Sequence, residues 1–263
     1  MMTKKHDTRW MVSVALMAAI VIVLANTPLG MIQLPIIKAT TVHIPVIIGA
    51  ILLGPLAGGI LGFVFGVCSL ISNTMAPTLL SFAFSPFLST TGLSGALKAI
   101  WISVGCRILI GVAAGWLWIL FRKLNANRRM VQIIAWVVVS IVAGLLWELL
   151  QELQVRQSVA ISITVFVVGT LWLILKEQKM NQVATLIITG FVGSMVNTIA
   201  VMGSIYLLFA KQYAEAKEVA VTAVWGLVMG TVTASGIPEA VAAAIIVAVV
   251  TKVLLKIRIV HAS

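Results

Sequence analysis

The residues of this sequence with the greatest potential for chemistry are polar side chains that interrupt long apolar runs. Arg107 is the clearest case, because it lies between Cys106 and Ile108 and no carboxylate shares its predicted helix. Charged groups inside a bilayer are costly and usually functional. A guanidinium there either is a structural cation, held by backbone carbonyls or by Glu239, or binds an anionic ligand. The residues alone leave both interpretations open.

Three further polar residues lie within apolar runs or at their ends. Asn197 is in the middle of one run, and a buried amide needs hydrogen-bond partners, so it either joins two helices or contacts a polar ligand. Glu239 follows Pro238 and is placed to cap the last predicted helix, because acidic residues favour helix N-termini. His43 opens the second predicted helix, where a lone histidine is more often an interface residue than a metal ligand.

Familiar catalytic and nucleotide-binding patterns are absent from the sequence. The glycine-rich stretch from Gly54 to Gly62 has no lysine, so it cannot hold nucleotide phosphates as a P-loop does. There is no H-E-x-x-H zinc motif, no G-x-S-x-G elbow and no pair of carboxylates within an apolar run. We therefore predict no catalytic residue, no metal and no cofactor. We predict that the chain is not an enzyme and that it has no energy source of its own for transport.

Composition and charge place the chain in a membrane. Of its 263 residues, 61% are hydrophobic and 10% are charged, far from the balance of soluble proteins. The apolar runs are about 17 to 25 residues long, enough to cross the hydrocarbon as helices. The net charge of +11 could indicate nucleic-acid binding, but the 18 lysines and arginines cluster between apolar runs. This is the positive-inside pattern of membrane proteins. We therefore predict that the chain contacts membrane lipid and does not bind nucleic acid.

Hydropathy and turn residues predict eight spans with both termini in the cytoplasm. The predicted spans cover residues 10–25, 43–53, 56–72, 95–121, 130–150, 159–175, 183–209 and 237–257. Residues 73–94, rich in serine, threonine, proline and phenylalanine, are predicted to fold back on the bundle. Proline removes a backbone donor, so the break around Pro238 predicts a separate re-entrant or interfacial segment at 219–233.

Small residues at four-residue spacing indicate close helix packing, because the hydrophobic effect does not drive helices together in lipid. One such ladder consists of glycines placed every four residues from Gly54 to Gly66. For these glycines we predict packing within the bundle. Ala15 and Ala19 form a second pair, near the start of the first helix, where docking to a partner helix is a serious alternative.

Several motifs together resemble one family of membrane proteins. They are Ala15-x-x-x-Ala19, the stretch from Ala39 to Gly66, SFAFSPF from Ser81 to Phe87, RILIG from Arg107 to Gly111, the pair Asn197-Thr198 and GIPEA from Gly236 to Ala240. The pattern resembles the substrate-binding (S) components of energy-coupling factor (ECF) transporters, which import vitamins in prokaryotes. It is most similar to the pantothenate-type members. Ser235 departs from that pattern, in which an asparagine is expected before GIPEA.

The resemblance implies an all-α integral membrane protein with a six-helix S-component-like bundle, and the lengths of the predicted spans add an inserted helical hairpin to it. Residues 1–263 would form a single transmembrane domain. Its core bundle would comprise residues 10–121 and 183–257, and the hairpin, at about 130–175, departs from the six-helix pattern.

The resemblance also implies partner subunits in the cell membrane. Members of the family dock through small residues of the first helix, here Ala15 and Ala19, onto a transmembrane coupling subunit. Two cytoplasmic ATPase subunits then drive a toppling motion that carries the substrate inward.

A vitamin pocket that faces outward is implied as well. The predicted pocket residues are Arg107, Asn197, Glu239, His43 and, in the loop after the third helix, Ser81, Phe82, Phe84 and Ser85. The expected ligand is pantothenate, whose carboxylate fits the guanidinium of Arg107, while its amide and hydroxyl groups would meet Asn197, Ser81 and Ser85. Another vitamin or precursor, such as folate or a thiamine pyrimidine, is the alternative within this class. A membrane-embedded enzyme or assembly factor is the alternative outside it.

Overall fold

The structure, a computed structural model, is almost entirely helical. It describes residues 8–33, 38–89, 91–124, 156–176 and 181–260, together with single positions between 136 and 151. Five helical stretches are long and apolar enough to cross a membrane. These findings confirm the prediction of an all-α integral membrane protein.

The helices differ widely in length. They are α1 (Thr8–Ala25), α2 (His43–Leu53), α3 (Pro55–Met75), α4 (Gly92–Ile100), α5 (Cys106–Leu124), α6 (Gln157–Lys176), α7 (Asn181–Lys217), α8 (Val224–Thr231) and α9 (Ile237–Val260). Two short strands, β1 (Met31–Gln33) and β2 (Lys38–Thr40), pair antiparallel between α1 and α2. The candidate membrane spans are Thr8–Ala25, Pro55–Met75, Gly92–Lys123, Gln182–Lys217 and Val221–Ile257.

Two π-helical turns connect α-helices without ending them. Trp101–Gly105 joins α4 to α5, and Val232–Gly236 joins α8 to α9. The structure therefore corrects the predicted break at Pro238: Val221–Ile257 is one helical stretch long enough to span a membrane, and 219–233 is not a separate segment. In a regular helix a proline ring clashes with the carbonyl four residues earlier, and a wider π turn makes room for the ring.

The glycine ladder of α3 packs against α5 at the level of the backbone. A Cβ added at Gly58 would collide with the carbonyl of Gly111, and one added at Gly62 would collide with the carbonyl of Arg107. Residue numbers rise along α3 as they fall along α5, so the two helices are antiparallel. Gly58 and Gly62 therefore serve packing within the bundle, as predicted, and they bring the backbone of Arg107 directly against α3. Gly54 takes no part in this packing, since nothing lies within 4 Å of a Cβ added there, and its φ of 98° belongs to the turn between α2 and α3.

The first two helices have opposite exposures. α2 lies in the core, where every residue from His43 to Ile51 is buried. In α1, by contrast, the buried residues are Val14 and Val21, while Ala15 and Ala19 are exposed. α1 is nevertheless attached to the bundle, and its indole at Trp10 donates from Nε1 to the carbonyl of Leu53 at 3.0 Å. The start of α1 therefore lies beside the end of α2.

α7 crosses the bundle antiparallel to α5. The thiol of Cys106, at the start of α5, lies 3.5 Å from the carbonyl of Ala200. Two turns further along α5, Ala114 approaches an earlier residue of α7, since a Cβ added at Gly193 would lie 3.5 Å from its side chain. α3 and α7 therefore run in the same direction, and both pack against α5.

One end of the bundle is strongly basic. α9 runs antiparallel to α7, because Gly236 packs against Thr198 whereas Ala244 packs against Gly190. The first residues of α1 and α7 therefore lie on the same side of the bundle as the last residues of α5 and α9. The exposed basic side chains there are Arg9, Arg122, Lys123, Lys252 and Lys256. We call this the basic end.

The predicted hairpin at 130–175 is described only in its second half. That half is α6, which contacts α7. The helix predicted at 130–150 lies outside the described residues, apart from single positions. The division of the chain into a core bundle and an inserted hairpin stays a prediction.

Replacing Gly62 with alanine is expected to destabilise the protein. The added methyl group would collide with the Arg107 carbonyl, and overpacking of this kind costs about 1–3 kcal/mol. Thermal unfolding in detergent measures the effect. Gly203→Ala in α7 is the matched control, because no neighbouring atom lies within 4 Å of the added Cβ. Equal unfolding temperatures for the two variants would contradict the close contact between α3 and α5.

Candidate ligand-binding site

A cavity of about 160 Å³ lies at the end of the bundle opposite the basic end. One wall is a face of α3, made by Phe65, Cys68, Ser69, Ser72 and Asn73. The remaining wall residues come from the helices α1, α5 and α7, from the β1–β2 region and from the loop that follows α3. They are Ala25, Gly30, Thr40, Val42, Phe84, Arg107 and Asn197. The cavity is therefore built by residues far apart in sequence, and it combines a cation with hydroxyl and amide groups.

Arg107 is the charged group of this cavity. Its side chain is 8% exposed, and its guanidinium carbon lies 5.4 Å from the ring centre of Phe65 and 5.3 Å from that of Phe84. Nη1 donates to the carbonyl of Ile102 at 2.8 Å, whereas Nε has no partner among the described residues. Two aromatic faces and one backbone carbonyl thus hold the guanidinium, and its other donors are available to a ligand.

The π turn before α5 supplies the carbonyl that Arg107 uses. Ile102 lies within that turn, five residues before Arg107. π turns often occur at functional sites because they redirect side chains and carbonyls away from the regular α pattern. The sequence suggested that a structural Arg107 would be held either by backbone carbonyls or by Glu239. The guanidinium does bond to a backbone carbonyl, that of Ile102, and among the described residues it forms no ion pair with Glu239.

Asn197 lines the cavity, and the oxygen of its side-chain amide is buried and unpaired. Its side chain is 7% exposed, and Oδ1 has no hydrogen-bond partner in the part of the chain that the structure describes. An unpaired buried polar atom costs about 1–3 kcal/mol. A hydrogen-bond donor of a bound ligand would therefore be favoured at this position.

Glu239 lies next to the cavity but does not line it. Its carboxylate accepts two hydrogen bonds from Thr40, one from the backbone N–H at 3.0 Å and one from Oγ1 at 3.2 Å. Thr40 itself lines the cavity. The predicted pocket residue Glu239 is thus placed behind a wall residue that the sequence did not indicate.

The two serines of the predicted pocket loop are buried and bonded to protein atoms. Ser81 Oγ donates to Asn73 Oδ1 at 3.0 Å and accepts from the backbone N–H of Thr78 at 2.8 Å. Ser85 Oγ and Thr74 Oγ1 are 2.7 Å apart. Neither serine lines the cavity. Their bonds tie the loop to the end of α3.

The two predicted aromatic residues of this loop point to different places. Phe84 lines the cavity and covers the guanidinium of Arg107. Phe82 packs edge-to-face on Phe209 in α7, with 5.7 Å between the ring centres. The serines and Phe82 thus anchor the loop, and the anchored loop presents Phe84 to the cavity.

His43 is completely buried at the start of α2. Neither of its ring nitrogens has a hydrogen-bond partner within the described ranges. It is not a wall residue of the cavity, although Val42 before it is one. The structure therefore puts this predicted pocket residue just outside the cavity wall.

The polar face of α3 is the part of the site that sequence reasoning missed. Its wall residues from Phe65 to Asn73 follow the three- and four-residue spacing of one helix face. Ser69, Ser72 and Asn73 on that face were a usable signal, because three polar side chains on one side of a membrane span are unusual. Thr40 carried no such signal, since nothing local in the sequence indicates its contact with Glu239.

The fold and the site together define a membrane-embedded helical bundle with a small cavity, lined by a cation and by hydroxyl and amide groups, near one end. The chain matches the family model "ECF transporter, substrate-specific component" over residues 9–153 and 155–251. It therefore belongs to the family of substrate-specific components of ECF transporters. This confirms the resemblance found in the sequence and identifies the chain as a transporter component rather than an enzyme.

A named relative adds a more specific likeness. The chain is 42% identical over 77 residues to "Pantothenic acid transporter PanT" from Lactococcus lactis subsp. cremoris (strain MG1363). The matched region is 29% of this chain and 39% of the relative. The chain thus spans about two fifths of the length of the curated relative that it matches.

Replacing Ser81 with alanine is expected to loosen the loop that presents Phe84. The variant loses the hydrogen bonds to Asn73 and Thr78, and removal of a buried hydrogen bond should speed protease cleavage of residues 76–89 by about tenfold. Limited proteolysis of the detergent-solubilised protein measures the rate. Ser94→Ala serves as control, because Ser94 is exposed and bonds only locally to Thr91 among the described residues. Identical cleavage rates would show that the bonds of Ser81 do not hold the loop.

Proposed function

We propose that this chain is the subunit that captures pantothenate outside the cell and releases it inside. The observation that supports this most is the buried guanidinium of Arg107, with donors available, in one cavity with the unpaired oxygen of Asn197. The named activity of the relative PanT points to the same ligand. Another vitamin or precursor, such as folate or a thiamine pyrimidine, remains the alternative.

The chemistry of the cavity suits a small molecule that has a carboxylate at one end and other polar groups further along. A carboxylate pairs with a guanidinium through charge-assisted hydrogen bonds, which are stronger than neutral ones. The rings of Phe65 and Phe84 fix the guanidinium in place for this contact. The amide and hydroxyl groups of pantothenate would then lie near Asn197 and the polar face of α3.

The charge distribution supports an outward-facing cavity. Lysine and arginine are enriched on the cytoplasmic side of membrane proteins, so the basic end would face the cytoplasm. The start of α1 and the end of α9 belong to that end, so both termini would lie in the cytoplasm. The cavity, at the opposite end, would then open to the outside, where a nutrient is captured.

The energy for release would come from partner subunits. The exposed side of α1, with Ala15 and Ala19, offers a helix surface of small residues for close approach by a transmembrane coupling subunit. Two cytoplasmic ATPases would drive the toppling of this chain through that subunit. No nucleotide-binding motif occurs in the sequence itself, in keeping with a borrowed energy source.

Replacing Arg107 with alanine is expected to weaken pantothenate binding about 100-fold. Charge-assisted hydrogen bonds contribute about 1.5–3 kcal/mol each, and 1.4 kcal/mol corresponds to a factor of ten. Arg107→Lys should give an intermediate loss, because an ammonium keeps the charge but not the forked geometry. Isothermal titration calorimetry of the purified protein measures the affinity. Arg122→Ala, at the exposed basic end, is the control and should bind normally.

Unchanged binding by Arg107→Ala would remove the proposed role of this residue. The wild-type protein should also be tested by thermal shift against pantothenate, folate and a thiamine pyrimidine. Stabilisation by one of the other ligands, without any by pantothenate, would replace pantothenate as the proposed substrate.

Enlarging Ala15 and Ala19 to leucine is expected to uncouple the chain from its partners. The added side chains would prevent close helix approach, so co-purification of the ATPase subunits and ATP-dependent uptake should fall by about tenfold or more. Binding of pantothenate to the isolated variant should not change. Ala242→Leu, also an exposed alanine in a membrane helix, is the matched control.

Uptake that persists in the double variant would contradict docking through α1. The wild-type chain, reconstituted alone in vesicles, should accumulate no pantothenate against a gradient. Accumulation under those conditions would contradict the borrowed energy source.

A further inference from the structure

Glu239 carries a buried carboxylate whose two recorded hydrogen bonds go to a single residue. Its side chain is 8% exposed, Oε1 accepts from the backbone N–H of Thr40, and Oε2 accepts from Thr40 Oγ1. In the described part of the chain, no cation forms an ion pair with this carboxylate. A buried carboxylate is costly unless it is hydrogen-bonded, so its link to Thr40 is a strong constraint on both residues.

Thr40 stands between Glu239 and the cavity. It ends β2 and lines the cavity, and the next residue, Thr41, donates from its backbone N–H to the carbonyl of Gly30 at 3.0 Å. A threonine hydroxyl has one hydrogen, and here that hydrogen is donated to Glu239. The oxygen keeps only lone pairs, so Thr40 Oγ1 can accept a hydrogen bond from a ligand but cannot donate one.

The contact between α9 and α7 determines where Glu239 lies. A Cβ added at Gly236 would be 2.7 Å from Cγ2 of Thr198. Glu239 is one helical turn beyond Gly236, and Asn197 directly precedes Thr198. The same helix contact therefore positions Glu239, behind Thr40, and Asn197, whose unpaired Oδ1 is also an acceptor.

We propose that Glu239 is a positioning residue that fixes Thr40 as a hydrogen-bond acceptor in the cavity wall. Thr40 Oγ1 and Asn197 Oδ1 then form an acceptor side of the site, and Arg107 forms a donor side. The site selects a ligand that combines an anionic group with hydroxyl or N–H donors. This inference rests on the proposed capture of a small molecule and specifies the ligand chemistry.

The first experiment tests the positioning without any ligand. Hydrogen exchange of peptides that contain the Thr40 amide is followed by mass spectrometry in the full-length protein. Glu239→Ala should exchange at least about tenfold faster there, because the Thr40 N–H loses its buried acceptor. Glu239→Gln should exchange as wild type does, since its amide oxygen can still accept. Exchange in Glu239→Ala that equals the wild-type rate would overturn the positioning role.

The second experiment tests the direction of the Thr40 hydroxyl, with pantothenate as the probe. The side-chain amide in Glu239→Gln can donate to Thr40 Oγ1, which turns the hydroxyl hydrogen toward the cavity. We expect the Kd for pantothenate to rise about tenfold in Glu239→Gln and in Thr40→Val. Thr40→Ser, which keeps the hydroxyl, should restore most of the affinity lost in Thr40→Val.

The double variant Glu239→Gln/Thr40→Val should bind no more weakly than Thr40→Val alone, because both changes act through one hydroxyl. Additive losses, or wild-type affinity in Glu239→Gln, would overturn the inference. Glu215→Gln, an exposed glutamate of α7, is the control and should bind normally.

The two experiments separate this inference from the proposed function. A wild-type protein that binds no pantothenate would contradict the proposed substrate, and the exchange measurement would still decide whether Glu239 holds Thr40. A wild-type protein that binds pantothenate, with variants that all bind equally well, would overturn the inference and leave the proposed function intact.

Discussion

The backbone contact between α3 and α5 is the constraint on which the site depends. Gly58 and Gly62 let the two helices approach so closely that carbonyl groups of α5 occupy the space that side chains of α3 would otherwise fill. In lipid, such close approach is a main source of helix association. It also places Arg107 beside Phe65, so that the cation faces the polar side of α3. Packing and the chemistry of the candidate site therefore share one helix interface.

The parts of the fold set by local chemistry could be predicted from the sequence. Membrane spans follow from the length and polarity of apolar runs, and α2 begins and ends where hydropathy and the turn at Gly54 place it. The glycine ladder and Arg107 stood out because their residue types are costly or unusual in a membrane helix. The helix break expected at Pro238 failed, since a π turn accommodates the proline within a continuous span.

The parts of the site set by long-range contacts could not be predicted. Thr40 and Glu239 are 199 residues apart, and no periodic pattern links a strand end to the start of a distant helix. Ser81 and Phe82 likewise belong to the anchoring of a loop, a role that depends on Asn73 and Phe209. Composition identifies such residues as polar or aromatic, but only tertiary structure shows whether they face a ligand or a neighbouring element.

Both buried charges of the cavity region, Arg107 and Glu239, come shortly after a π turn. Each π turn holds one more residue than an α-helical turn would, and one residue corresponds to about 100° of rotation around the helix axis. One additional residue in each π turn thus sets the direction in which the later side chains of that helix point. Helix length and side-chain direction are coupled at these two places, so the loss or gain of one residue there would turn Arg107 away from the cavity or Glu239 away from Thr40.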